Sequence, residues 1–474
     1  MSARSDRSRL GNALVVVLLA ALAAGWFALM AGDEVGGVPS ASLIEAAGVL
    51  LVFVVVVLVF TSRRHAPVPD GADFLIVFAS QTGFAEELAE RTAAALVAGG
   101  RRVTRVPIAR LDAALLARAR VALFIAATYG EGDPPDPARR FADTTLRERV
   151  DLSRLQFGVL ALGDRRYEHF CGFGRRLDAW LLANGARPLF DRIDVDDGDL
   201  ASLGAWREWL KAWTSDDAMV VETAFTPWRL VSRVEANPSS LGAPAFHVVL
   251  EPGAGEGARW SAGDIAVVRL PDDQHRDYSI ASLPDDGRIE LLVRRASRDE
   301  AAMGTGARWL TSTLAIGATT ALHIRANRGF RADDVAPSTP LILIGNGTGI
   351  AGLRAHVKAR IASGADRNWL VFGERQAAVD GFYADEWSAW IAEGRIARAS
   401  FAWSRDDPTR VHVQDRLAEE RDALVDWIDD GAVVLVCGSA TGMAEGVDAT
   451  LRRLLGSRRV DALAVDGRYR RDVY

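Results

Sequence analysis

From residue 74 onward, short unbroken apolar runs alternate with longer stretches whose apolar positions return every three or four residues. FLIVFAS (74–80), VALFIAATYG (121–130) and FGVLALGD (157–164) are continuous enough to read as strands buried on both faces. AEELAERTAAALVAGG (85–100) has the helical period and stops at Gly99–Gly100. Such alternation predicts a parallel sheet covered by helices, with ligands at the carboxyl ends of its strands. The pattern changes between TPWRLVSRVEANP (226–238) and IRANRGF (324–330), where short strands are punctuated at Asn237–Pro238, Pro252–Gly253 and Asp286–Gly287. That spacing predicts an antiparallel barrel. A second strand–helix unit follows, with strands opening TPLILIGNGTGIAGL (339–353), WLVFGER (369–375), FAWSRDDPTRVHVQ (401–414) and VVLVCGSATGMAEGV (433–447).

The amino-terminal pattern is of another kind. ALVVVLLAALAAGWFALMAG (13–32) carries no charge and is long enough to cross a bilayer, and AAGVLLVFVVVVLVF (46–60) follows it. Arg4, Arg7 and Arg9 precede the first run, while Arg63, Arg64 and His65 follow the second. The positive-inside rule then predicts two transmembrane helices, about 13–32 and 44–61, with both flanks cytoplasmic. The expectation is a multi-pass protein of the inner (cytoplasmic) membrane, anchored in lipid, with its remaining domains facing the cytoplasm. A cleaved signal peptide ending near Leu29-x-Ala31 is the alternative for the first run. The expected organisation is an anchor at 1–65, a linker at 66–73, and domains at 74–215, 226–335 and 336–474.

Composition narrows the functions. A net charge of −6 over 474 residues argues against a nucleic-acid partner. Cys171 and Cys437, the two cysteines, stand in different segments and make neither a disulfide framework nor a metal site.

The candidate chemistry lies at strand ends. SQTGFA (Ser80, Gln81, Thr82, Gly83, Phe84, Ala85) places hydroxyls and free backbone N–H groups before a helix, a cradle that holds phosphate without a cation. Ala127, Thr128, Tyr129 and Gly130 open a second loop, and Leu162–Gly174 forms a third that offers Tyr167. Two loop tyrosines beside a phosphate cradle suit a flat ring between them. On these residues the segment resembles the FMN domain of the diflavin reductases, the group of cytochrome P450 reductase and the sulfite reductase flavoprotein. The resemblance implies a flavodoxin-like fold, with Ser80–Ala85 on the FMN phosphate and Tyr129 and Tyr167 on the two ring faces. Leu162, Gly163, Asp164, His169, Phe170 and Cys171 would wrap one side of the flavin, and Asp196 would sit in an acidic loop near it.

RDYSIAS (276–282) and GTGARWL (304–310) lie within the barrel segment. They resemble the FAD signature of ferredoxin–NADP reductase-like modules. The resemblance implies Arg276 on the FAD pyrophosphate, Asp277 beside it, Tyr278 on the flavin ring and Ser279 near flavin N5. Leu292 and Val293 would line the adenine-proximal strand, and Gly304, Thr305, Gly306 and Ala307 would meet the pyrophosphate. The helical connecting domain of P450 reductases has no room in this chain. The last segment resembles the Rossmann-like NADPH half of the same module. It implies Ser404, Arg405 and Arg410 on the 2′-phosphate, His412 and Gln414 on the adenine side, Thr348 at the nicotinamide end, and Cys437 positioning hydride transfer. The terminus GRYRRDVY (467–474) would supply Asp472 to the hydride site and Tyr474 as a ring lying on FAD, displaced by nicotinamide. The terminal D-V-Y is similar to the sulfite reductase flavoprotein.

The implied activity is a relay from NADPH through FAD and FMN to a one-electron haem or iron acceptor at the membrane, of the NADPH–hemoprotein reductase type. A sulfite reductase flavoprotein-like subunit, a ferric-chelate or quinone reductase, and a flavin-binding redox sensor or scaffold are the alternatives.

Overall fold

The computed structural model describes residues 73–214, 224–253, 259–295, 305–406 and 408–474. The anchor and the linker up to residue 72 lie outside these, as do Gly304 and the side chain of Thr305. The described residues form one compact unit built on three sheets.

The first sheet comprises β1 (Phe74–Ala79), β2 (Val103–Pro107), β3 (Val121–Ala127), β4 (Gln156–Gly163), β5 (Arg187–Pro188) and β6 (Ile193–Asp196). Its order is β2-β1-β3-β4-β5, with β6 also paired to β4, and all pairs are parallel. The apolar runs became strands because each is covered twice: Ile76, Leu123, Ile125 and Leu160 are fully buried. Helix α1 (Phe84–Ala98) leaves the end of β1 and packs Ala85, Ala89 and Leu96 against the sheet. Strand order reverses between β1 and β3, the point at which such sheets open a crevice at their carboxyl ends.

The second sheet comprises β7 (Thr226–Glu235), β8 (Ala245–Pro252), β9 (Ile265–Arg269), β10 (His275–Ser279), β11 (Ile289–Arg294) and β12 (Thr319–Arg325), in the antiparallel order β10-β9-β12-β7-β8-β11. Its two edges meet where the Ala281 N–H donates to the Glu290 carbonyl at 2.8 Å, so the sheet closes. Trp228, Leu230, Val248, Leu291 and Leu322 fill the interior.

The third sheet is parallel, in the order β15-β14-β13-β16-β17: β13 (Leu341–Asn346), β14 (Asn368–Glu374), β15 (Arg398–Trp403), β16 (Val433–Gly438) and β17 (Tyr469–Val473). Its order reverses between β13 and β16. Helix α2 (Ile350–Ala362) runs between this sheet and the barrel and is buried nearly all round, as expected of a helix with two covered faces. From it Arg354 reaches Glu290 of the barrel at 2.7 Å and Glu386 at 2.8 Å, while Lys358 pairs with Asp286 at 2.6 Å.

Candidate active site

The loops after β1, β3 and β4 surround a cavity of about 400 Å³. Ser80, Gln81, Thr82, Phe84 and Ala85 line it from the first loop, and Ala127, Thr128, Tyr129 and Gly130 from the second. Leu162, Gly163, Asp164, Tyr167, His169, Phe170 and Cys171 line it from the third. Ser80 Oγ and Thr128 Oγ1 are buried without a hydrogen-bond partner among the described residues. Buried hydroxyls of that kind call for a ligand's polar atoms. Burial also pushes the Tyr129 phenol up to about 12, so it stays neutral and offers its ring. The residues therefore fit a flat, phosphorylated ligand, with the phosphate at the start of α1.

Gly83 caps α1 in the left-handed region (φ 87°), and a Cβ there would lie 2.3 Å from the Ala326 carbonyl oxygen of the barrel. The phosphate loop thus touches the neighbouring sheet. Barrel residues complete the cavity wall: His275, Arg276, Asp277, His323 and Arg325 all face it.

The expected residues around this cavity take distinct partners. Asp196 ends β6 and accepts from the Arg165 N–H at 2.9 Å. It is Asp197, with the chain turned to φ 45°, that lines the cavity. Gln81 lines the cavity, and its side chain is engaged at the domain boundary. Its amide accepts from the Asp136 N–H at 2.8 Å and donates to the Arg471 carbonyl at 3.0 Å and to Asp136 Oδ2 at 3.2 Å. Cys171 is buried with φ 54° at the start of the 172–183 helix, its thiol 3.3 Å from the Ala161 carbonyl. Leu292 and Val293 turn opposite ways from β11, into the core shared with the third sheet and into the barrel interior respectively. Arg276 pairs with Asp197 at 3.2 Å, and a Cβ on Gly306 would lie 2.3 Å from its Cγ. The arginine and the glycine-rich turn therefore do meet, as a shared pyrophosphate site needs. Tyr278 keeps its ring against the barrel core, with its phenol pushed up by burial. Ala307 packs against that same core.

The second cluster lies where β13 and β16 part. Ser279, at the end of β10, donates to Asp472 Oδ2 at 2.9 Å, and Cys437 Sγ lies 3.8 Å from the same oxygen. Asp472 is buried, which raises its carboxyl to about 6 against the pull of the Ser279 hydrogen bond. Burial, with the carboxylate next, pushes the Cys437 thiol well up, so it is a neutral donor. Gly352 of α2 lies beneath the pair, where a Cβ would be 3.3 Å from both Cys437 Sγ and Ser279 Cβ. Gly349 is tighter still: a Cβ would fall 2.2 Å from the Cys437 carbonyl oxygen. Tyr474 is 55% exposed, its N–H on the Gly438 carbonyl at 3.0 Å and its hydroxyl 3.5 Å from Thr348 Oγ1. It can therefore move without unpacking a core.

Ser404 and Arg405 follow β15, with Ser404 N–H on the Glu374 carbonyl at 2.9 Å and Arg405 N–H on the Arg375 carbonyl at 2.8 Å. Arg405 and Arg410 are exposed, which suits guanidinium forks awaiting a phosphate. His412 caps the helix 413–419, and the buried Gln414 Oε1 has no hydrogen-bond partner among the described residues.

A clasp joins the clusters. Arg471 is 6% exposed; its Nε donates to Asp136 Oδ2 at 2.6 Å, and its guanidinium lies 5.8 Å over the Tyr129 ring. Sequence reading missed it, although the signal was present: neighbours on a strand point to opposite sides, so if Asp472 faces a flavin, Arg471 must face something else.

Fold and sites define a nucleotide-dependent flavoprotein oxidoreductase with two flavin sites. Comparison with known proteins agrees. Residues 76–209 match the flavodoxin family and 343–449 the oxidoreductase NAD-binding domain family. Together with the relatives below, these two domains support a diflavin reductase with FMN, FAD and NADPH as cofactors. It is similar to the sulfite reductase [NADPH] flavoprotein alpha-component of Neisseria meningitidis serogroup C (strain 053442), with 26% identity over 548 residues covering 86% of this chain and 90% of the relative. The Citrobacter koseri protein of that name is 27% identical over 551 residues, covering 86% and 91%. Since 86% of 474 residues is about 408, some 140 of the 548 aligned positions lack a counterpart in this chain. That shortfall fits the missing connecting domain.

Proposed function

We propose that the chain oxidises NADPH and passes electrons singly to a haem or iron centre on a partner protein, as a flavoprotein of the sulfite reductase alpha-component type. The reading rests on one observation: β10, five residues long, borders both sites. At one end Ser279 joins Asp472 and Cys437, and further back Arg276 and Asp277 face the cavity between the flavodoxin loops. When bound, NADPH, FAD and FMN supply hydride transfer and the conversion of an electron pair into single electrons. The protein's own residues bind, orient and shield. Ser404, Arg405 and Arg410 would hold the 2′-phosphate, Ser279 and Cys437 would orient the reacting rings, and buried Asp472 would hold or release a proton beside Ser279. Tyr474, held at its backbone and hydroxyl, would shield a bound flavin and give way when the nucleotide binds.

A membrane-bound NADPH–hemoprotein reductase is the second reading. It rests on the uncharged run at 13–32 and the apolar run at 46–60, both outside the described residues. Among the described residues no helix is long and apolar enough to cross a membrane.

The test is anaerobic addition of NADPH to the detergent-purified full chain, followed by cytochrome c. The expected result is bleaching of both flavins and rapid cytochrome reduction. Flavin that stays oxidised overturns the enzyme reading in favour of a sensor or scaffold. Reduction of ferric chelates or quinones alone, with none of cytochrome c or a sulfite reductase haem subunit, overturns the proposed acceptor.

A further inference from the structure

The first turn of α1, directly after the phosphate loop, carries Glu86 and Glu87, and Glu90 follows one turn later. Carboxylates at a helix N-terminus complement its dipole. A phosphate held by the same N-terminus, however, meets them as like charges. Within the flavodoxin domain Glu87 pairs with Arg91, and Glu90 pairs with Arg105 at 2.6 Å.

The remaining compensation comes from the barrel. Arg328 places one nitrogen 2.7 Å from both Glu86 and Glu90, and His323 Nε2 lies 3.1 Å from Glu87. Between them Arg325, 5% exposed, donates from Nε to the Thr82 carbonyl at 3.1 Å. Its fork is held by Asp277 on β10, and it lies 5.6 Å over the Phe84 ring. Arg325 thus grips the phosphate loop by its backbone, through the Thr82 carbonyl. The close approach of Gly83 to Ala326 marks the same seam.

We propose that the FMN phosphate site is completed across the domain boundary: Arg325 sets the loop, Arg328 offsets the acidic start of α1, and His323 contacts Glu87. FMN binding and docking of the flavodoxin domain on the barrel then stabilise one another, because a coupling free energy acts equally in both directions. This rests on the FMN reading of the cavity above.

The experiment measures FMN, riboflavin and FAD dissociation by fluorescence from the full chain in low-salt detergent buffer, for wild type, Arg325→Gln and Arg328→Gln. Arg328 is half exposed, so its replacement keeps the test independent of folding. Both variants are expected to weaken FMN about tenfold while leaving riboflavin unchanged, and Arg328→Gln to leave FAD unchanged as well. Salt should shrink the Arg328→Gln difference, since exposed charges are screened. Removing FMN from wild type should also enlarge the radius of gyration. Equal loss of FMN and riboflavin, or unchanged FMN retention in both variants, overturns the proposal. Wild-type protein that binds riboflavin and FMN equally overturns it too, and wild type that binds no FMN overturns the FMN reading itself.

Discussion

Asp472 is the buried titrating carboxyl of the second cluster. The unfolded chain releases this proton near the ordinary value of 3.8, and the folded chain near 6, because burial disfavours the charge. Folding therefore takes up a proton between those values, and this group's contribution to stability falls as pH rises through that window and stays lower above it. Asp472→Asn is expected to raise the melting temperature at pH 8 but not at pH 4. It should also slow flavin reduction by NADPH about a hundredfold, read by stopped flow. An unaltered pH profile of stability would remove Asp472 as the titrating group. Deleting Tyr474, exposed and held only at its backbone and hydroxyl, is expected to tighten oxidised NADP and improve kcat/KM for NADH. Coenzyme kinetics with unchanged selectivity would dismiss the lid.

Strands, more than loops, organise the reductase half. On β17, Arg471 and Asp472 serve different sites because alternate side chains leave opposite faces. Gly349 is needed at the start of α2 because the Cys437 carbonyl passes where any side chain would begin. Gly349→Ala should force β13 and β16 apart, lowering the melting temperature by several degrees and weakening NADPH binding more than FMN binding. Arg405→Ala should cut the preference for NADPH over NADH about tenfold, with little effect on stability because the side chain is exposed. The strand runs and the glycine turns were legible from spacing alone. That Asp197, next to the expected Asp196, lines the cavity follows from its positive φ, and hydropathy does not report φ.

At the scale of the molecule, the flavodoxin domain is docked through buried charge. Arg471 is deeply enclosed and Asp136 largely buried, with Gln81 bonded to both. Removing one partner of such a pair leaves an uncompensated charge, at a cost of about 3–5 kcal/mol. Asp136→Asn should therefore lower cytochrome c reduction, which needs FMN, while ferricyanide reduction at FAD changes little. Arg471→Met combined with Asp136→Asn should be milder than either change alone, and additivity in that double-mutant cycle would deny the clasp. With about 140 aligned positions of its relatives absent, the docking surface is formed by the two flavin domains themselves.

The order of three units, their strand runs, the phosphate loop, the R-x-Y-S strand and the terminal D-V-Y were all determined by the sequence. Local propensity, hydrophobic period and short motifs are properties of neighbouring residues. Tertiary structure alone decided that Gln81, Asp136 and Arg471 are partners across up to 390 positions, and that Arg325 grips the loop at Thr82. Long charged side chains look alike in a sequence. Which carboxylate or carbonyl each one meets depends on how separately folded sheets are brought face to face.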